Sequence, residues 1–416
     1  MAFNQSLIND RLLGQLVTWP FYWLALVLFC FVWNLGGAPL FDVDEGAFSE
    51  ATREMLAHGD FLTTYLNGEL RFDKPILIYW LQAAAVGTFG LHEWSFRLPS
   101  ALAASGWVMA VLMFSRRFLN ERSALLAATF TGTALGPLVI GRAATADALL
   151  HLCLAAALFD IYRFATSGER RCVLRTFLWM GIGTLTKGPV ALLIPFLVSG
   201  IYFATRNDMR KWRRAIFDPL GWLILIVIAA PWYALEFREQ GQAFVAGFFM
   251  KHNVGRFTAT MQGHGGNLFY YAPAILLVTL PFSGLFLRIL PALRQQWRDP
   301  LDRFLWLWFA VVYVLFSLSK TQLPHYILYG ATPLFVLMAR HRQLLRSRWL
   351  AYLPSILLLT ALLLLPEIFT AVRERTHDVY VAEMLTAAPV IFDSNYRIGA
   401  ALALSAVLRN SFRCSA

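Results

Sequence analysis

Long apolar runs, broken by short polar stretches, set the pattern of this chain. Phe21–Leu35, Ala101–Phe114, Leu220–Leu235, Ala274–Leu287, Phe304–Leu318 and Leu350–Leu365 each approach the ~20 apolar residues a membrane-spanning helix needs. Further runs predict spans at about Phe96–Phe114, Ser123–Ile140 and Asp147–Tyr162, and a hairpin of Thr176–Leu185 with Val190–Phe203. The first span is expected at Trp19–Gly37, with Trp19, Tyr22 and Trp23 as interfacial anchors. Ile76–Phe89 is shorter and suits a re-entrant or interfacial helix. The pattern predicts an all-α polytopic membrane protein with about 11–12 transmembrane helices.

Two polar stretches interrupt it, at residues 38–75 and 236–268. Within the first, Phe48, Ala51, Met55 and Leu56 recur at helical spacing, with Ser49, Glu50, Arg53 and Glu54 opposite. That spacing predicts an amphipathic helix lying on the membrane surface. The transmembrane unit is expected to cover residues 1–366, followed by a short or truncated C-terminal segment, 367–416, whose last apolar run, Ile398–Leu408, is weak.

Composition agrees. Of 416 residues, 58% are hydrophobic and only 15% charged, against about 25% charged in soluble domains. The net charge of +11 does not imply a nucleic-acid partner, because the basic residues fall in every second loop, as in Arg206, Arg210, Lys211, Arg213 and Arg214. Such loops face the cytoplasm, which places residues 38–75 and 236–268 outside. The four cysteines lie in or beside spans or at the tail and outline no disulfide framework.

Ionisable residues gather at the outer ends of the spans. Asp42, Asp44 and Glu45 follow the first one. They read either as a solvated loop or as a general base that takes the proton of an acceptor attacking a sugar carbon. One carboxylate suffices there if the leaving group is a phosphate and the transfer inverts in one step, unlike the acid pair of glycoside hydrolysis. Lys74, before Pro75 at a helix start, could face a phosphate or lipid headgroups. Asp147 begins a span, where ionisable groups commonly mark function or a specific pair. Arg142, Lys187, Arg256 and Lys320 sit in outward turns and either hold phosphate or snorkel. His252 and His264 could join a carboxylate around a metal, although a zinc site takes three or four ligands. No Walker A, dinucleotide-binding or nucleophile-elbow pattern is present.

Taken together, the Asp44-Glu45 pair, Arg53-Glu54-Met55-Leu56, Asp73-Lys74-Pro75 and Lys187-Gly188-Pro189 resemble the GT-C polyprenyl-phosphate-sugar glycosyltransferases. So do His252–Phe257 and Ser319-Lys320 with Leu323–Leu328. The similarity is strongest to the lipid A aminoarabinose transferase branch of the protein O-mannosyltransferase superfamily. It implies a GT-C fold in a bacterial inner membrane, with the site facing the periplasm. The implied reaction moves a sugar from undecaprenyl phosphate to lipid A, lipopolysaccharide, another glycan or a protein.

By the same resemblance Asp44 is the base, Asp147 a second required carboxylate, Lys74 the donor-phosphate ligand and Tyr326 part of the donor cavity. Asp73, where the family has glutamate, and His264 would share a metal such as zinc, although no cofactor is required. The chain departs from the aminoarabinose transferases at Ala47, Phe48 and Arg71, where they carry Arg, Tyr and an aromatic, so one phosphate contact is missing. Protein O-mannosyl transfer is one alternative, and a transporter or flippase of lipid-linked sugars another. Transporters favour repeat symmetry and mid-membrane charges, whereas these charges cluster at one interface.

Overall fold

The computed structural model describes residues 21–41, 44–260, 265–377, 379–387 and 392–413. Asp42, His264 and Trp19, the expected start of the first span, lie outside them. The described residues are mostly helical. The first helix among the described residues, α1 (Tyr22–Val32), turns from α to π geometry at Leu28. After α2 (Asp44–His58), β1 (Tyr65–Leu66) and β2 (Glu69–Leu70) form a small antiparallel hairpin. Asn67 and Gly68 turn that hairpin with φ of 56° and 77°, the left-handed pair an Asn-Gly turn supplies. Then come α3 (Leu77–Phe89), α4 (Glu93–Phe118), α5 (Glu121–Thr133), α6 (Leu135–Gly141) and α7 (Asp147–Ser167).

The hairpin α8 (Arg170–Lys187) and α9 (Val190–Thr205) leads through the short basic α10 (Met209–Ile216) into α11 (Pro219–Phe244). A ten-residue π-helix, Val245–Val254, and α12 (Gly255–Thr258) follow. The remainder comprises α13 (Tyr271–Val278), α14 (Ser283–Ile289), α15 (Leu293–Gln296), α16 (Pro300–Ser317) and α17 (Ala331–Arg340). Beyond these lie α18 (Arg348–Leu363), α19 (Leu365–Arg375), α20 (Val379–Met384) and α21 (Ser394–Arg413).

Among the described residues, four helices are long and apolar enough to cross a membrane: α4, α7, the Pro219–Val254 rod and α16. Two bent pairs raise this to six: α5 with α6, bent by 60°, and Trp349–Leu363 with α19, bent by 57°. The expected 11–12 spans are therefore not uninterrupted rods. The span expected at Ser123–Ile140 breaks where Ala134 leaves helical geometry, and Pro137 sits in the first turn of α6, a place that needs no proline N–H. Ala274–Leu287 likewise divides into α13 and α14, with Pro281 between them.

Two expectations need correction. The second outer stretch is mostly helical up to Thr258, because α11 continues past Glu236. Its direction changes at Gly241, whose φ of 52° is reached cheaply only by glycine. The first outer helix does not simply lie on a membrane surface. Phe48, Ala51 and Met55 pack into a second core with Ile76, Tyr79, Trp232, Phe244 and Phe248. Part of its polar side is buried as well: Glu54 accepts hydrogen bonds from Asn67 N (2.6 Å) and Gly68 N (3.1 Å) and so holds the hairpin, while Arg53 stays exposed. The main core runs through α4, α5, α7, α9, α16 and α17, with Trp107, Phe114, Phe159 and Trp308 wholly enclosed. At the chain's end, Ile398–Leu408 belongs to the 20-residue helix α21.

Candidate active site

The site lies where the N-terminus of α7 meets the C-terminus of α8. Asp147 is the first residue of α7 and is buried. Its Oδ1 accepts hydrogen bonds from Lys187 Nζ and from the Tyr329 hydroxyl, the latter at 2.8 Å, and His325 Nε2 stands 4.0 Å away. Lys187 is the last residue of α8, with its ammonium 5.8 Å from the Tyr326 ring centre and 5.5 Å from that of Tyr329. Gly188 ends the helix at φ 78°, and a Cβ there would come within 2.7 Å of the Phe248 ring. Glycine is thus required for the sharp exit that leaves Lys187 at the helix end.

This ion pair stands between two cavities. One, of about 390 Å³, is lined by Asp73, Lys74, Lys187, His252, Tyr326 and Tyr329, with apolar walls from Val190, Leu193, Phe249 and Phe257. The other, of about 530 Å³, is lined by Asp44, Glu45, Arg97, Arg142, Asp147 and His325, among others. The first joins two lysines to an apolar trough. The second presents the exposed carboxylate of Asp44 on the far side of Asp147.

Asp73 anchors the basic end of the first cavity. It pairs with His252 and, at 3.0 Å, with Arg71, while Lys74 Nζ donates to the Asp73 carbonyl at 3.1 Å. Burial pushes this carboxyl up, but the His252 hydrogen bond and the charges of Lys74 and Arg71 outweigh it and hold Asp73 well below the usual carboxylate range. Among the described residues no three His, Cys, Asp or Glu side chains gather to hold a metal. Asp73 and His252 supply two groups where a zinc site takes three or four, so no chemical step is assigned to a metal.

Two other sequence candidates are occupied by scaffolding. Glu45 is buried and accepts from Arg97 Nε (2.9 Å), Arg97 Nη2 (2.8 Å), Phe41 N (2.9 Å) and Ala144 N (2.7 Å). Burial acts against its charge, yet these bonds hold its carboxyl below the ordinary glutamate value. Arg142 donates to the carbonyls of Cys30, Trp33 and Asn34, closing the end of α1 while its side chain borders the second cavity. Lys320 is exposed in a turn and borders neither cavity. Arg256 lies in α12, beside the Phe257 of the first cavity. Tyr326 is buried in the first cavity's wall.

Sequence reasoning passed over His325 and Tyr329. Both belong to the Leu323–Leu328 region or directly follow it, and the 3-10 helix Pro324–Gly330 carries both toward Asp147. It also favoured His264 over His252 as the partner of Asp73; His264 lies outside the described residues, and among those described His252 pairs with Asp73.

Fold and site together define a multi-pass helical membrane protein of the GT-C type. Residues 73–234 match the family described as dolichyl-phosphate-mannose-protein mannosyltransferase. An uncharacterized protein of Aquifex aeolicus is 31% identical over 75% of this chain and 70% of its own length. The undecaprenyl phosphate-alpha-4-amino-4-deoxy-L-arabinose arabinosyl transferase of Aeromonas hydrophila is 32% identical over 75% of this chain, but over only 58% of that enzyme. The alignment thus spans little more than half of that transferase. The crystal structure of ArnT from Cupriavidus metallidurans bound to undecaprenyl phosphate superimposes with a TM-score of 0.74 at 25% identity, covering 94% of this chain and 72% of that one. The chain belongs to the GT-C glycosyltransferases of the ArnT and protein mannosyltransferase superfamily.

Proposed function

We propose that this protein transfers a sugar from a polyprenyl-phosphate carrier, with undecaprenyl phosphate as the bacterial form, to an acceptor at the outer face of the inner membrane. Lipid A or lipopolysaccharide is the favoured acceptor class, ahead of another glycan or a protein, because the sequence motifs are most similar to the lipid A aminoarabinose transferases; the matched transferases' names give the donor, a sugar carried on undecaprenyl phosphate. The observation that carries the reading is the Asp147–Lys187 pair between a lysine-lined, apolar-walled cavity and one presenting Asp44. The apolar trough suits the prenyl chain, and Lys74 and Lys187 suit its phosphate.

The residues divide the work as follows. The acceptor hydroxyl or amine enters the Asp44 cavity and attacks the anomeric carbon from the side opposite the phosphate. Asp44 takes the acceptor's proton as the new bond forms. The sugar–phosphate bond breaks, and the phosphate leaves carrying the bonding electrons. No proton need be given to it, because Lys74 and Lys187 meet the developing charge. One displacement of this kind inverts the anomeric centre. Asp147 and the Tyr326 and Tyr329 rings fix the Lys187 ammonium, so Asp147 acts through that lysine. Lipid and glycan mass spectrometry of a strain lacking the gene tests the reading: one envelope glycoconjugate should lose a single sugar residue. An unchanged glycoconjugate profile, with lipid-linked sugar not accumulating, would count against it.

A further inference from the structure

At the other end of α7 and α8, some 30 Å away by the rise of a 21-residue helix, a second constellation has no part in sugar transfer. An apolar slot of about 180 Å³ opens among α7, α8, α9, α10 and α11, walled by Phe164, Phe177, Phe196, Trp212, Ile216 and Trp222. Its hydroxyl groups are already bonded inside the protein: Thr176 donates to the Cys172 carbonyl at 2.9 Å, and Ser199 accepts from Trp212 Nε1 at 3.0 Å. Nothing in the wall asks for water, so the slot suits a hydrocarbon chain.

A basic basin of about 570 Å³ adjoins it, and Phe164, Val173 and Ala215 line both spaces. The basin carries Arg170, Arg210, Lys211 and Arg214 against Asp208 and Asp218, four cations to two anions. Arg170 is spent on Asp218, at 2.7 and 3.0 Å. Lys211 donates to the Ala165 carbonyl at 3.0 Å, and burial lowers its ammonium below the ordinary lysine value. Arg210 and Arg214 are exposed and have no ion-pair partner among the described residues. Helix α10 joins the two spaces: Trp212, Ala215 and Ile216 face the slot, while Arg210, Lys211 and Arg214 face the basin.

We infer that this slot and basin bind one anionic phospholipid of the adjacent leaflet, with an acyl chain in the slot and the headgroup phosphate against Arg210 and Arg214. A solvated basic loop alone would need no enclosed apolar slot opening beside its charges. A zwitterionic lipid fits the slot equally but leaves the basin's excess positive charge unanswered. The inference does not depend on which sugar donor the protein uses.

Native mass spectrometry of the full chain, offered phosphatidylglycerol or phosphatidylcholine with identical acyl chains, tests it. Wild type should retain one phosphatidylglycerol in preference to phosphatidylcholine. Arg210→Gln with Arg214→Gln should weaken phosphatidylglycerol retention roughly 25-fold, about 5-fold per charge, and abolish the preference. Ala215→Phe, which narrows the slot, should reduce retention of both lipids. Arg294→Gln with Arg298→Gln, in another loop rich in arginine, should change nothing. The inference is overturned by equal retention of the two lipids by wild type. It is equally overturned if the two arginine pairs lower retention alike, which would indicate diffuse attraction. Displacement of the lipid by millimolar inorganic phosphate as readily as by phosphatidylglycerol would show a bare phosphate site and overturn it as well.

Discussion

Replacing Glu45 by glutamine separates scaffold from chemistry at the first outer loop. In the native protein its two oxygens accept four hydrogen bonds, from Nε and Nη2 of Arg97 and from the amides of Phe41 and Ala144. Arg97 also donates to the carbonyls of Leu35, Ala38 and Pro39, so one ion pair ties together the end of α1, the start of α2, α4 and the α6–α7 turn. Both side chains are only 8% exposed. Glutamine keeps one acceptor oxygen and turns an NH₂ group toward donors, leaving the guanidinium buried without its counter-charge. Removing one partner of a buried pair costs about 3–5 kcal/mol. At about 2 °C per kcal/mol for a large chain, the unfolding midpoint of the purified protein should drop by roughly 6 °C or more.

The pH dependence has a definite sign. Glu45's folded carboxyl lies below its ordinary value, so its contribution is fully present above the unfolded value near 4.3 and fades as pH falls through the folded one. The gap between wild type and Glu45→Gln should therefore be constant near neutrality and narrow only below about pH 4. Thermal unfolding in detergent across pH 3–7, with transfer assayed on the same samples, reads both. A variant as stable as wild type but inactive would make Glu45 the base and refute the scaffold assignment.

Other outcomes follow from the same geometry. Asp44→Asn should keep wild-type stability and lose roughly 10² or more in transfer rate, the scale of general-base loss; near wild-type transfer would remove Asp44 from the chemistry. Lys187→Met should destabilise by about 3 kcal/mol or more, because it leaves Asp147 buried opposite an apolar chain. Adding Asp147→Asn should recover much of that stability without recovering transfer, and recovered transfer would make the pair purely structural. Single cysteines at Glu69 and Arg213, in a chain with Cys414 replaced by serine, should label from opposite sides of the membrane with an impermeant thiol reagent. Labelling from one side alone would contradict the orientation read from the basic loops.

The sequence announced its helices through apolar blocks, because that signal is local and additive. Breaks were less legible. Pro137 and Pro281 mark interruptions only once neighbouring helices fix which side they pack on, and a lone glycine such as Gly241 inside a polar stretch carries no local signal of a change in helix direction. Candidate residues were found by type and position, yet their partners were not. Glu45 and Asp44 are adjacent in sequence, but one is enclosed by four donors and the other faces a cavity. Asp147 met Lys187 and Tyr329 across 40 and 182 residues of separation, which no local pattern can show. The His252–Asp73 pairing was equally hidden, since two histidines in one stretch offered two registers.

Single-turnover transfer by purified protein tests the central claim most directly. A labelled sugar on undecaprenyl phosphate is offered beside the same sugar on a nucleotide diphosphate, with wild type, Lys74→Ala and Asp44→Asn. Wild type should consume only the lipid-linked donor and release undecaprenyl phosphate. Lys74→Ala should bind that donor roughly 30-fold more weakly, the equivalent of about 2 kcal/mol for a charge-assisted phosphate contact, and Asp44→Asn should bind it normally while transferring slowly. Efficient use of the nucleotide sugar, or transfer indifferent to both substitutions, would contradict the account.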